Sequence, residues 1–576
     1  MVAIRHRQIC IVVLALLATS GCGVDKGPPE KNSSPFPQTN VAYFRQLSPE
    51  GEAALHERIG AGYLPDLRRP DFSPDRTTVK NFYRSVGYAL VWTTDTGPTD
   101  QALALADLLR DADTKGLNPE DYDGPRWAER LRLLRQAALQ HSESDLINFD
   151  LMLTVSAMRY ASDLHVGRVN PRRVHFGFPI EGKKTDLGEF LRRNVLRAAD
   201  VKTALENLEP PFPIYRRAQK ALQTYQRLAR EDDGELLPKA KKPIEPGDAY
   251  PGITRLARLL RLVGDLRSDA LISLQPMTYE GELVEAVKRF QQRHGLEPDG
   301  RIGPDTLKQL NTPLAQRVKQ LELALERWRW LPSKFSEPPV VVNIPEFKLR
   351  AFSDQYRPVL TMKVVVGKAY RHRTPVFAQD MKYVIFRPYW DVPASIQRGE
   401  LLPEIETDRV YLAKHSYEIV ESRTRVVTEG TSEDVLQQLR SGQLAIRQKP
   451  GPNNSLGLVK FVFPNENNVY MHGTPAVELF AKPRRDFSHG CIRLENPEEL
   501  AVWVLRSNPG WTRDRIRAAM EGGKTVQVSL AKPVPVLIVY ATAIVLENGE
   551  VHFFDDVYGH DAVLGRVLGK GYPYSG

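Results

Sequence analysis

Cysteine is almost missing from this chain: 576 residues contain three, Cys10, Cys22 and Cys491. No two are placed as a ligand or disulfide pair, so neither a disulfide framework nor a cysteine-ligated zinc site organises the fold, and there is no HExxH helix to hold a metal instead. Long apolar runs are also scarce. Past Gly23 none is long enough to cross a bilayer, which restricts any membrane attachment to the N-terminus. Charge of one sign does not dominate: 79 Lys and Arg against 70 Asp and Glu leave a formal +9 spread over the chain. That excess reads as solvated surface rather than a nucleic-acid stripe. A phosphate loop is missing too. Gly523-Lys524-Thr525 resembles the end of one, but Ala518 stands where the earlier glycine is needed and a helical segment precedes it.

What is present describes a multi-domain α+β protein. With 42% hydrophobic and 26% charged residues the chain is globular, and its length suggests three or four units of roughly 150 residues each. The first 22 residues have the layout of a signal peptide: Arg5 and Arg7, an apolar run from Ile9 to Ala18, then small residues. Export to the periplasm is expected. Two processing readings compete. Thr19-Ser20-Gly21-Cys22 resembles a bacterial lipobox that would lipidate Cys22 and anchor the chain to the membrane, with Thr19 where Leu is preferred; ordinary cleavage after Ser20 is the other. Residues 23–40 are rich in Pro, Ser and Asn and read as a flexible tether.

From 41 to 248 the periodicity is mainly helical, as in QALALADLLRDADTKG, and suggests a scaffold without a catalytic cluster. After a Lys- and Pro-rich linker, residues 251–312 contain AVKRFQQRHGLEPDGRIGPDTLKQLN, with Leu283, Val287 and Phe290 on one helical stripe and Pro304 at a helix start. This stretch resembles the three-helix peptidoglycan-binding module of wall enzymes. A helical connector, 313–335, follows. From 336 to 531 the pattern turns to short β-branched and aromatic runs broken by Gly, Pro and Asn, which predicts a β-rich sandwich or barrel. A segment of mixed polarity at about 398–457 interrupts it as a lid-like insertion, and 532–576 reads as a C-terminal hairpin.

The chemistry concentrates in HGTPAVELFAKPRRDFSHGCIR, His472 to Arg493. Cys491 is the only cysteine outside the signal region, and an unpaired thiol in an oxidising compartment is exposed to oxidation unless it has work to do. A catalytic thiol needs a base. His472 and His489 both qualify, and proximity in sequence favours His489. A hairpin of LVKFVF, PNENN and VYMHG would bring His472 to a strand end facing Cys491 across a shallow groove. Ser488 and Gly490 suit a tight turn whose N–H groups, with that of Cys491, can bind an oxyanion. Arg493 would share a strand face with Cys491 and bind a carboxylate or form a structural ion pair. Tyr470 is a groove residue or an ordinary strand aromatic.

This pattern is similar to that of the L,D-transpeptidase family, whose motif is a His followed at a comparable interval by Ser/Thr-His-Gly-Cys. The peptidoglycan-binding module, ERWRWLP, VNIPEFKLRAF and RPYWDVPASI extend the likeness to the family's large periplasmic branch. The resemblance implies Cys491 as nucleophile, His472 as base oriented by the carbonyl of Gly473, His489 as a supporting residue, and Trp390 as a substrate contact. It also implies no cofactor, peptidoglycan stem peptides and glycan as partners, and a thioester intermediate resolved by an amine to give 3→3 cross-links. Water as acceptor would make the enzyme an L,D-carboxypeptidase. A non-catalytic wall-binding scaffold is the alternative from another class. A papain-like protease is disfavoured because both histidines precede Cys491, and a sortase lacks the Ser-His-Gly-Cys pattern.

Overall fold

The leucine stripes of the N-terminal region form helices, and the computed structural model describes residues 44–574 except 137–140, 181–182, 184, 273–276, 371, 423–424 and 429. The expected signal over 1–22, with Cys22, and the tether over 23–40 lie outside the described residues. The longest of these helices, α1 (Glu143–Val166), starts at Ser142, whose hydroxyl and Asp145 cap each other's backbone. It is buried along most of its length among Leu105, Tyr83, Trp92 and Trp127. Asp150, facing that core, stays satisfied by accepting from the Val91 and Trp92 amides at 2.8 Å each and from Tyr83 Oη at 2.8 Å.

The chain then leaves this core twice in ways its periodicity does not announce. Strand β1 (Phe176–Gly177) pairs in parallel with the start of a strand two hundred residues later, Phe176 opposite Val376. Helix α2 (Pro213–Glu231) turns Tyr215, Ala218, Leu222 and Tyr225 into the core of the β-rich region rather than that of the N-terminal helices. A stripe at helical spacing specifies that a face is buried, not against what.

Three short helices follow: α3 (Ile253–Leu262), α4 (Glu282–Arg293) and α5 (Pro304–Leu310). They enclose a small core of Leu256, Leu260, Leu283, Val287, Phe290 and Ile302. The Asp299-Gly300 turn is held by buried Gln291, which accepts from Gly300 N at 2.8 Å and donates to Arg301 O at 2.9 Å. Gly300 sits at φ +78°, a left-handed conformation suited to glycine.

Helix α6 (Leu314–Arg329) joins the parts. Glu326 within it is fully buried and accepts from the Val169 amide at 3.0 Å and from Arg168 Nε at 3.0 Å, tying α6 to the loop after α1. Beyond it lie β2 (Val340–Asn343), β3 (Lys348–Phe352), β4 (Pro358–Gly367), β5 (Val376–Phe386), β6 (Val459–Val462), β7 (Met471–His472), β8 (Ile492–Leu494) and β9 (Val526–Val539). Their pairings run β2–β3–β4–β8–β7–β6–β5–β9 and return to β2, so the expected sandwich or barrel is a closed ring. The segments TVQVSL and PVLIV belong to one strand, β9. Its ladder with β5 skips between Ser529 and Val534, where Pro533 has no N–H to donate.

Between β5 and β6 the insertion forms a subdomain with its own four-stranded sheet. The strands are Trp390–Asp391, Tyr417–Ser422, Arg425–Thr428 and Ala445–Gln448, over a core of Ile405, Leu412, Ile419, Leu436, Leu439 and Ile446. It thus begins at Trp390, earlier than the change of polarity at 398. After β9 a hairpin, Ala543–Val545 with Val551–Phe553, and helix α7 (His560–Gly569) close the chain. Among the described residues no helix is long and apolar enough to cross a membrane.

Candidate active site

Strands β7 and β8 run parallel, with Met471 opposite Ile492 and His472 opposite Arg493. The register extends one step back, where the Ile492 amide donates to Tyr470 O at 3.1 Å. Residues two apart on a strand share a face. Met471 and Ile492 therefore point into the core, both fully buried, while Tyr470, His472, Cys491 and Arg493 emerge on the other side. These four line one cavity of about 1020 Å³. It is deeper than the shallow groove expected, because the insertion folds over it and contributes Trp390, Ile396, Glu400, Leu401, Tyr411 and Tyr417 as a roof.

The turn before Cys491 is held by its own side chains. Ser488 Oγ donates to the Cys491 carbonyl at 2.5 Å and accepts from the Gly490 amide at 3.1 Å. The Gly490 N–H expected to share in binding an oxyanion is thus engaged by Ser488 within the turn. Gly490 has φ +113°, a backbone that residues with a side chain rarely adopt.

His472 is buried, 5% exposed, with Nδ1 2.5 Å from the carbonyl of Gly473. A carbonyl only accepts, so Nδ1 carries the proton and Nε2 is the basic nitrogen. Burial, helped by the nearby charges of Arg493 and Lys460, pushes its pKa down to about 3. The imidazole is therefore neutral at neutral pH. Burial also pushes the Cys491 thiol up, against the opposing influence of Tyr470, Lys460 and Arg493. Both directions favour the uncharged forms, a neutral thiol and a neutral imidazole, at neutral pH. Sγ lies 3.9 Å from the Asn468 carbonyl.

The remaining residues divide by position. His489 is at the rim, with Nε2 2.5 Å from Glu400 Oε1 of the insertion and its ring 4.7 Å from that of His372. Trp390 lines the roof near Tyr417, at 6.4 Å between rings. The Arg493 guanidinium has no ion pair among the described residues, and its Nε is buried without a hydrogen-bond partner. Three contributors were not legible from spacing: Lys460, whose Nζ sits 3.7 Å from the centre of the Tyr470 ring, Asn468, and Glu400. Lys460 is opposite His472 in the β6–β7 register, a relation visible only once the pairing is known. Among the described residues no cluster of three or more His, Cys, Asp or Glu could hold a metal ion.

Comparison with known proteins adds three family matches. Residues 338–533 match the family described as "L,D-transpeptidase catalytic domain", 254–310 the "Putative peptidoglycan binding domain", and 77–222 the "Scaffold domain". A Haemophilus influenzae protein described as "Putative L,D-transpeptidase" is 32% identical over 244 residues, 42% of this chain and 48% of that protein. The chain spans about half the length of that relative.

Proposed function

We propose that this chain, which carries an L,D-transpeptidase catalytic domain and a peptidoglycan-binding domain, joins stem peptides of peptidoglycan by 3→3 cross-links through a thioester on Cys491. The observation that carries the reading is the constellation on β7 and β8: a half-buried thiol and a neutral, Gly473-oriented His472 on one face of a roofed cavity. In the first step Sγ attacks the carbonyl joining the third stem residue to the terminal D-Ala. The S–C bond forms, the proton on sulfur passes to His472 Nε2, and the tetrahedral oxyanion is stabilised by the Cys491 N–H. Collapse breaks the C–N bond, and the proton on His472 leaves with the D-Ala amine. The side-chain amine of a second stem then attacks the thioester and gives its proton to His472; as the C–S bond breaks, His472 returns that proton to sulfur and the neutral thiol is regenerated.

His472 rather than His489 takes the base role in this reading, because His489 Nε2 is engaged by Glu400. The unpaired guanidinium of Arg493 binds a stem carboxylate, and Trp390 and Tyr470 flank the bound peptide. The helical region over 41–248 serves as scaffold, and the module over 251–312 holds the enzyme on the wall. The N-terminal pattern supports exported placement with lipidation at Cys22, ordinary cleavage after Ser20 being the alternative; no incorporation of a radioactive fatty acid into the wild type, or label that persists in Cys22→Ala, would refute lipidation at Cys22.

Intact-mass measurement after treatment with a carbapenem, whose strained lactam carbonyl acylates nucleophiles, tests the acyl-enzyme. One adduct is expected on the wild type and none on Cys491→Ala; an unmodified wild type, as a non-catalytic scaffold would give, refutes the reading. With disaccharide-tetrapeptides as substrate, dimers containing 3→3 bonds are expected, whereas tripeptide alone would identify a carboxypeptidase.

A further inference from the structure

The family match over the catalytic domain ends at residue 533, yet a residue well beyond it reaches under the catalytic turn. Tyr558, 2% exposed, donates from Oη to the Gly367 carbonyl at 2.5 Å and accepts from the Thr374 amide at 3.3 Å. It is itself held by the Tyr540 hydroxyl, which accepts from the Tyr558 amide at 2.8 Å and donates to Asp556 at 2.6 Å. The segment from Gly367 to Thr374 is thereby braced at both ends. It grips the catalytic turn at two points: the Lys368 amide donates to Ser488 O at 3.0 Å, and Thr374 Oγ1 donates to Gly490 O at 2.8 Å.

The direction of the second bond is settled by chemistry. Thr374 Oγ1 accepts from the Gly367 amide at 2.9 Å, so its own hydrogen is free to point at the Gly490 carbonyl, which can only accept. Thr374 is fully buried and lies outside the cavity wall, whereas Cys491 lines the cavity. In a trans peptide the C=O and the following N–H point in opposite directions. Pinning Gly490 O on the buried side therefore turns the Cys491 N–H toward the cavity. Among the described residues that amide has no acceptor, and the neighbouring Gly490 amide is already spent on Ser488.

We propose that Thr374, braced by Tyr558 from the C-terminal segment, is a positioning residue that sets the Gly490–Cys491 peptide so that the Cys491 N–H meets the oxyanion. The proposal rests on the acyl-transfer reading given above. It deepens that reading by assigning the aim of the site's oxyanion donor to a buried hydroxyl outside the motif and to a tyrosine outside the matched domain. The role is preorganisation: the donor is already aimed before charge develops, so no reorganisation is required during reaction.

The test uses full-length protein and two reagents that attack the same sulfur. A carbapenem acylates Cys491 through a tetrahedral oxyanion, whereas iodoacetamide alkylates it by displacement at a saturated carbon and forms none. Loss of a whole oxyanion donor typically costs about 10²–10³ in rate, so misaiming one in Thr374→Val is expected to slow acylation about tenfold or more. Alkylation should stay within about twofold of wild type, because the thiol and His472 are untouched. Thr374→Ser retains the hydroxyl and should restore acylation, and Tyr558→Phe, which frees Gly367 O, should slow it several-fold. Thermal unfolding of each variant identifies the temperature range in which it is folded. Wild-type acylation rates in Thr374→Val, or acylation and alkylation falling together, would overturn the proposal while leaving the acyl-enzyme intact. A wild type that takes up no acyl group would instead refute the acyl-transfer reading, and the proposal with it.

Discussion

The neutral imidazole of His472 should be measurable as an acid-dependent loss of stability. In the unfolded chain this histidine titrates near the ordinary value of 6.5; in the folded protein burial lowers that to about 3. Between those values the unfolded state binds a proton that the folded state refuses. The folded state is consequently disfavoured as pH falls from 6.5 toward 3, and no such penalty exists at pH 7.5. Each pH unit in that window is worth about 1.4 kcal/mol, so at pH 5 the residue costs about 2 kcal/mol. Buried His294 and His552 and half-buried His560 are also depressed by burial and add to the acid sensitivity of the wild type. Comparison with His472→Gln removes their contribution. Urea unfolding at pH 7.5 and at pH 5 should show wild type losing about 2 kcal/mol more than the variant. Only the change with pH matters, since a constant offset reports lost packing. If the two proteins lose stability in parallel, His472 is not held neutral and the assignment of Nε2 as a ready base fails.

Two other perturbations probe the frame and the cavity. Glu326→Ala removes the buried carboxylate that accepts from Arg168 and Val169 and leaves guanidinium charge uncompensated beside it. A loss of about 3–5 kcal/mol is expected in chemical denaturation, and one below about 1 kcal/mol would refute its role as the joint between α6 and the N-terminal helices. Arg493→Gln should raise KM for an anionic stem peptide about tenfold or more, as expected for a lost hydrogen bond to a charged group. In the same variant the His472 midpoint, followed by nuclear magnetic resonance, should move up, since Arg493 is the second cause of its depression. An unmoved midpoint and an unchanged KM would place Arg493 outside the site.

What local pattern encodes was readable, and what depends on long-range pairing was not. The helical N-terminal region, the three-helix unit and the β-rich region each carry their own periodicity and turn residues, as in the Asp299-Gly300 turn and the Pro304 helix start. The grouping of Tyr470, His472, Cys491 and Arg493 follows from alternation along two short strands. Their neighbours do not. Lys460 reaches Tyr470 through a cross-strand register, Glu400 reaches His489 from the insertion, and Thr374 reaches Gly490 from a loop more than a hundred residues away. A single polar residue in a loop has no period to betray it. The same limit applies to α2, whose apolar stripe is plain but whose partner is α6 and the β-rich core. In β9 the prolines read as a break between two strands, although the ladder tolerates them as an irregularity.

Strand β9 also dictates the order in which the molecule can be assembled. It is the last strand of the ring along the chain, yet it lies between β2 and β5, pairing with both. The earlier strands can form hairpins as they are made, but the ring cannot shut until residue 539 is available, and Tyr558 arrives later still. Closing contacts this distant in sequence are slow to form because a long loop must be ordered first. During that interval β2 and β5 each present an unpaired edge, and Val340, Val342, Met381 and Val384 have not yet acquired their final cover. A nascent or truncated chain that stops short of β9 is therefore an open curl with two adhesive edges, and its hazard is self-association rather than slow catalysis.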